Sequence, residues 1–262
     1  ELMRLQNKVA VITGGSSGMG RATAELFASE GGKIVIAGRR KDLGTEVADK
    51  INGNGGECIF INTDVSVSKD VEFLVNSTIN NFGKIDVLFN NAGINNEAQG
   101  DPHKEDENLF DSVLNVNLKG AFLCTKYVVE NMMENRSGSI INNSSVLDSR
   151  AANSSSTSYH VSKGGLAMLT KKSSLSYAKY NIRVNSIQPG AIATEMSGVN
   201  WNDLENEKVN QERSKMQPIV RMGLPVDVAY AALFFASEES SFITGASLLV
   251  DGGTSAAYNW AP

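Results

Sequence analysis

Histidine is scarce in this chain of 262 residues: it occurs as His103 and His160 alone. That leaves almost no room for a zinc or di-iron centre built on imidazole. No metal site is expected. Cysteine is as rare, with Cys58 and Cys124. Two cysteines do not make a disulfide framework, so a reducing, cytoplasmic compartment is the expectation. Five prolines leave little material for linkers. A basic excess is missing too: 24 Lys and Arg stand against 29 Asp and Glu, for a formal charge of −5. Nucleic acid, which needs a basic face, is therefore not an expected partner. No apolar run approaches the roughly 18 residues of a membrane span, so no membrane partner is expected either. The start is polar and leads into a five-residue apolar run (Val9–Thr13), too short for a signal peptide.

What is present is alternation. Short apolar, β-branched runs occur at Val9–Thr13, Lys33–Ala37, Cys58–Asn62, Val87–Asn90, Ser139–Asn143, Arg183–Ile187 and Ser247–Val250. Helical patterns separate them, at Gly20–Glu30, Asp42–Ile51, Lys69–Phe82, Leu109–Glu134, Tyr159–Tyr180 and Val226–Ser237. Strands alternating with helices mean βαβ units and a parallel sheet covered on both faces. The reading is α/β: a single doubly wound domain over residues 1–262, with about seven parallel strands and helices on both faces. Two segments break the rhythm, Asn95–Asn108 and Gly190–Pro218. The second carries Met196, Trp201, Leu204 and Met216, and is expected to be a substrate lid at about 190–218.

The first strand runs into Gly14-Gly15-Ser16-Ser17-Gly18-Met19-Gly20, and a helix follows. Glycines let the backbone turn sharply and approach a diphosphate, while the helix N-terminus offers free N–H groups and a positive dipole end. The same residues match G-x-S-x-G, the nucleophile elbow of α/β hydrolases. That reading needs a late histidine, and the last hundred residues hold none.

Four further motifs follow in order: Asn90-Asn91-Ala92-Gly93; Asn117; Ser145 with Tyr159-x-x-x-Lys163; and Pro189-Gly190 followed by Thr194. Together with Thr13-Gly14-x-x-x-Gly18-x-Gly20, this set resembles the short-chain dehydrogenase/reductase family, over about Lys8 to Gly253, as in its ketoreductase and hydroxysteroid-dehydrogenase-like members. The resemblance implies a Rossmann-type domain and a nicotinamide cofactor. It places the cofactor on Gly14, Ser16, Ser17, Gly18, Met19 and Gly20, on Asp64 and Val65 near the adenine, and on Asn91, Ala92 and Gly93 near the ribose. Tyr159 and Lys163 would also touch the cofactor. Pro189, Gly190, Ile192 and Thr194 would hold the nicotinamide carboxamide end. Asn91 would tie the fourth strand to the sheet. Asp64 reads equally well as a turn or helix-capping residue.

Tyr159 and Lys163, four apart in a helical pattern, share one face. An ammonium near a phenol lowers its pKa from about 10, making tyrosine a workable proton donor to a carbonyl oxygen. Ser145 can hydrogen-bond that oxygen. Asn117, by resemblance, distorts its helix and holds a water relaying protons to Lys163. The Ser145–Tyr159 segment is one residue longer than usual for the family, which keeps Ser144 as an alternative to Ser145.

Dinucleotide folds that prefer NAD place an acid at the end of the second strand. Here that strand ends in Gly38, Arg39 and Arg40. Arg39, with Ser16 or Ser17, can bond a 2′-phosphate, so NADP(H) is preferred and NAD(H) is possible; Arg40 is expected to be the spectator. The expected reaction interconverts a ketone and a secondary alcohol. An NAD-dependent alcohol or polyol dehydrogenase and a non-catalytic nucleotide sensor or scaffold are the alternatives. By resemblance the protein is a homotetramer or homodimer pairing the helices Leu109–Glu134 and Tyr159–Tyr180, with Gly164 and Gly165 allowing close approach. Ser66-Val67-Ser68-Lys69 matches S-x-x-K but reads as helix capping, and His160 as packing or surface.

Overall fold

A strand buried on both faces needs apolar residues at every position, and Val9–Thr13 meets that demand: all five are buried. The computed structural model describes residues 3–95, 101–153, 155–199, 215 and 217–257. Its strands are β1 (Val9–Thr13), β2 (Lys33–Gly38), β3 (Glu57–Asn62), β4 (Val87–Asn90), β5 (Gly138–Asn143), β6 (Ile182–Pro189) and β7 (Ser247–Val250). They lie within two residues of the expected bounds. The seven strands form one sheet in the order β3-β2-β1-β4-β5-β6-β7, every neighbouring pair parallel. The order reverses between β1 and β4. A doubly wound sheet opens its ligand crevice at such a point, outside the strands' C-terminal ends.

The helices are α1 (Gly18–Ser29), α2 (Lys41–Gly53), α3 (Ser68–Phe82), α4 (Glu107–Leu114), α5 (Gly120–Asn135), α6 (Thr157–Tyr177) and α7 (Pro225–Ala236). Alternate strand residues feed two apolar clusters. Ala10, Ile12, Ile34, Ile36 and Phe89 join Phe27 of α1 and Leu233 of α7. Val11, Val35, Leu88 and Ile140 join Leu74 of α3 and Val128 of α5. At about 25 cal/mol per Å² of apolar area removed from water, these faces drive the sheet and helices together.

The expected single helix Leu109–Glu134 is divided. A π-helical turn spans Asn115–Lys119, and the Gly120 N–H bonds the Asn115 carbonyl five residues back. A polar side chain inside the turn accounts for the break. Asn117 is 1% exposed; its Oδ1 accepts from the Ile94 N–H at 2.8 Å and its Nδ2 donates to the Ile94 carbonyl at 2.9 Å. The 3.6-residue register yields so that both bonds to the chain leaving β4 can form. Of the expected lid, residues 200–214 and 216 lie outside the described residues, including Trp201, Leu204 and Met216. Among the described residues no helix is long and apolar enough to cross a membrane.

Candidate active site

The glycine loop is shaped by contacts from across the switch point. Gly14 and Gly18 take φ of 65° and 51°, a region L side chains avoid. A Cβ on Gly20 would stand 2.3 Å from the Gly14 carbonyl oxygen, so only glycine lets the loop close on itself. The Thr13 hydroxyl accepts from the N–H groups of Asn91 and Ala92 at 2.9 and 3.0 Å. The Asn91 amide donates back to the carbonyls of Thr13 and Gly14 at 3.0 and 3.2 Å. The Asn143 amide in turn donates to Asn91 Oδ1 at 2.9 Å. Asn91 thus ties β4 to the glycine loop, as the resemblance implies. Ser17, which precedes α1, makes no side-chain cap bond, and the helix has no acid in its first turn. Its leading N–H groups are aimed at the cleft without a resident carboxylate.

That cleft has a volume of about 510 Å³, within the range of small-molecule sites. Gly14, Ser16, Ser17, Gly18, Met19, Arg39, Asp64, Val65, Asn91, Ala92, Gly93 and Thr194 all line it. Asp64 forms the expected turn at the rim of the cleft. It faces the cleft, and its Oδ1 accepts from the Ser66 N–H and hydroxyl at 3.0 and 2.6 Å. Burial works to raise its pKa, yet the Ser66 bonds and the Arg39 charge leave the carboxyl below its ordinary value. Arg39 Nη1 stands 3.9 Å from Asp64 Oδ2. Arg40, expected to be the spectator, is engaged instead. Its guanidinium donates to Glu195 Oε2 at 2.8 Å and to the Ser17 hydroxyl.

Beyond β6, Gly190 is dictated by packing, since a Cβ there would lie 2.9 Å from the Asp251 backbone. Pro189 pairs in register with Val250. Neither residue lines the cleft. Ile192 forms a parallel bridge with Gly223 through the Ala191 carbonyl and the Ala193 N–H. Strand alternation turns the N–H and C=O of Ile192 itself to the other side. Thr194 then returns to the glycine loop, with its methyl 3.3 Å from where a Gly18 Cβ would be.

The reacting groups converge at the end of β5 and the start of α6. Ser156 caps α6, its hydroxyl accepting from the Tyr159 N–H at 3.2 Å. One turn on, Lys163 is 5% exposed. Its Nζ donates to the Asn143 carbonyl at 2.7 Å and lies over the Tyr159 ring, 5.5 Å from the centroid. Burial pushes the Lys163 ammonium down to about 8, against the opposing pull of Asp148. Burial also raises the Tyr159 phenol, and the hydrogen bond with Ser145 only partly offsets this. The direction is opposite to the expected lowering: burial of the hydroxyl sets it, with the Ser145 hydrogen bond pulling the other way.

The adjacent serines divide the work. Ser144 donates to Asp148 Oδ2 at 2.8 Å and lies near the Lys163 carbonyl, while Ser145 is the serine hydrogen-bonded to Tyr159. Asn117 Nδ2 also contacts the Ser162 hydroxyl at 3.1 Å. Its amide is a brace between α6 and the chain after β4. His160 is a brace as well: Nδ1 bonds the Ser156 carbonyl at 2.8 Å and Nε2 accepts from the Ala152 N–H at 3.1 Å. Both cysteines are buried, with thiols pushed up to about 12 by desolvation, which makes them poor nucleophiles. No cluster of metal-ligating side chains occurs among the described residues.

Sequence reasoning did not assign Thr13, Asn143 or Glu195 to the site. Thr13 opens the glycine motif, and a hydroxyl beside two glycines is a ready partner for a neighbouring strand. Asn143 acts through its carbonyl, which no residue pattern reports.

The family profile described as enoyl-(acyl carrier protein) reductase matches residues 14–255. The chain is 41% identical over 256 residues to tropinone reductase-like 1 of Erythroxylum coca, covering 96% of this chain and 92% of that protein. It is 38% identical over 251 residues to glucose 1-dehydrogenase 2 of Bacillus subtilis (strain 168), covering 95% of each. Among solved structures, levodione reductase superposes with a TM-score of 0.90 at 33% identity, covering 97% of this chain and 100% of that one. The strand-borne motifs of the present chain stand at the C-terminal ends of β1, β4, β5 and β6, and its relatives align along nearly its whole length. The protein therefore belongs to the short-chain dehydrogenase/reductase family and is an oxidoreductase acting on the CH–OH/C=O pair.

Proposed function

We propose that this protein interconverts a ketone and a secondary alcohol using NADP(H), with Tyr159 moving the proton. The observation that carries this reading is the meeting of Tyr159, Lys163 and Ser145 at the C-terminal end of β5. The glycine-lined cleft adjoins them through Asn91 and Asn143. The cleft suits a dinucleotide: its glycines leave no Cβ in the way, and the α1 N–H groups have no acid before them. Gly14, Gly18, Asn91 and Thr194 would hold it, with Ile192 at the carboxamide. When bound, such a cofactor supplies or accepts the hydride.

The chain's own groups do the rest. Ser145 orients the substrate oxygen by hydrogen bonding. Tyr159 gives its phenol proton to that oxygen on reduction and takes it back on oxidation. Its raised pKa keeps it protonated and ready to donate. Lys163 is fixed by the Asn143 carbonyl, would hold the cofactor ribose, and supplies the positive charge that favours the phenolate after transfer. Asn117 braces the corner.

Support for NADP(H) comes from the bare Gly38 at the end of β2 and the two arginines after it. A carboxylate there would repel a 2′-phosphate. The test is turnover with NADPH and with NADH across steroid, acyl-thioester, sugar and small ketones. NADPH-dependent reduction in at least one class is expected. No turnover in any class with either cofactor would favour the nucleotide sensor.

A single cytoplasmic unit assembling as a homotetramer belongs to the same proposal. Met168 and Leu175 of α6 are 61% and 81% exposed, and Phe122 of α5 is exposed as well. Within the chain, a Gly165 Cβ would press on Leu118, while a Gly164 Cβ would meet the Asp148 carbonyl at an ordinary 3.4 Å. The interface would rest on the large exposed side chains, and light scattering giving a monomer at micromolar concentration would refute it.

A further inference from the structure

Three segments meet at one side chain on the rim of the cleft. Arg40 follows β2, Ser17 lies in the glycine loop, and Glu195 opens a short turn, Glu195–Ser197, beyond β6. Arg40 Nη1 donates to Glu195 Oε2 at 2.8 Å and Nη2 to the Ser17 hydroxyl. All three residues line the same cleft as Gly38 and Arg39. Arg39 has a carboxylate of its own in Asp64, at the looser separation of 3.9 Å.

A guanidinium presents a planar fork of donors that fits a phosphate as well as a carboxylate. Arg40 is therefore a phosphate ligand held by an anion of the same chain. We propose that Arg40 is a second ligand for the 2′-phosphate of NADP(H) and that Glu195 is its resident competitor. The proposal rests on the NADP(H) reading above. A dianionic phosphate beside Ser17 takes Arg40 from the monoanionic Glu195. A ribose with a free 2′-hydroxyl has no charge to do so and leaves the pair intact. Cofactor discrimination is then set by a difference, the phosphate's hold on Arg40 less that of Glu195. The apparent affinity for the phosphate falls by the fraction of Arg40 that Glu195 occupies.

The test measures binding of two fragments without turnover: adenosine 2′,5′-bisphosphate and 5′-AMP, by calorimetry on the full chain. The ratio of their Kd values isolates the 2′-phosphate and cancels general damage to the glycine loop, while circular dichroism checks folding. The wild type is expected to bind the bisphosphate more tightly. Arg40→Ala should cut that preference about tenfold, the lower end for a charged hydrogen bond. Glu195→Gln should raise it about two- to fivefold, as loss of an exposed ion pair implies. Suppose the wild type prefers the bisphosphate and Arg39→Ala removes the preference. If Arg40→Ala and Glu195→Gln then leave it unchanged, this proposal is overturned and the NADP(H) reading stands. If the wild type shows no preference, both fall.

Discussion

The catalytic corner, whose Tyr159 and Lys163 do not line the cleft, and the rim of the cleft itself are held by opposite physics. At the catalytic end Lys163 is 5% exposed, fixed by a carbonyl and braced behind by Ser144, Asp148 and Gln188. At the proposed adenosine end the side chains of Arg39 and Arg40 are 64% and 49% exposed and face carboxylates across the surface. Buried polar groups lose water and must find fixed partners, so their protonation and position are set together. Exposed ion pairs are worth little individually and exchange partners readily. Chemistry should thus be intolerant of substitution at the first end, and cofactor choice tunable at the second.

The largest effect expected is at Tyr159. Tyr159→Phe keeps the ring and removes the proton, so kcat should fall about 10²–10⁴-fold while cofactor binding survives. Ser144→Ala should leave kcat within a few fold of wild type, because its hydroxyl serves Asp148. A Tyr159→Phe enzyme keeping more than about a tenth of wild-type kcat, with chemistry limiting, would break the assignment.

At the exposed end effects should be smaller and reversible. kcat/KM should favour NADPH over NADH at least about tenfold, from one charged hydrogen bond. Arg39→Ala should erase most of this gap, and Gly38→Asp should reverse it by offering a ribose acceptor and repelling the phosphate. Equal or better use of NADH by the wild type would refute the cofactor proposal and leave the catalytic end untouched.

An effect on stability rather than turnover sharpens the contrast through pH. Folding lowers Lys163 from 10.5 to about 8. Between those values the unfolded chain still binds a proton that the folded chain has lost. This group's contribution to stability therefore rises with pH across the window, by up to about 1.4 kcal/mol per unit, and is flat below it. Lys163→Met removes the ionisation. Denaturant unfolding at about pH 7.5 and about pH 9.5 should show the wild type gaining on the variant at the higher pH. An unchanged difference would mean that Lys163 stays charged when folded.

The sheet was legible because each strand is an apolar run that needs no partner to be recognised. Tyr159 and Lys163 were legible because their helical spacing brings them to one face. The π-helical turn was not, since the pattern of Leu109–Glu134 runs through it; its cause is a side-chain bond from Asn117 to Ile94, 23 residues away. The Arg40 ion pair was not legible for a similar reason, its partner Glu195 lying 155 residues on. The direction of the Tyr159 shift depends on burial, which spacing does not report.

The Thr13 hydroxyl joins residues 78 and 79 apart in sequence. Contacts at such separation close late, because the chain between them must first be ordered. The glycine motif is therefore written in the first βα unit but does not acquire its working shape there. An excised piece ending before β4 would keep every glycine and lack the hydroxyl's two donors. Nucleotide affinity should then emerge in folding after β4 docks on β1, as a late property of the half-assembled sheet.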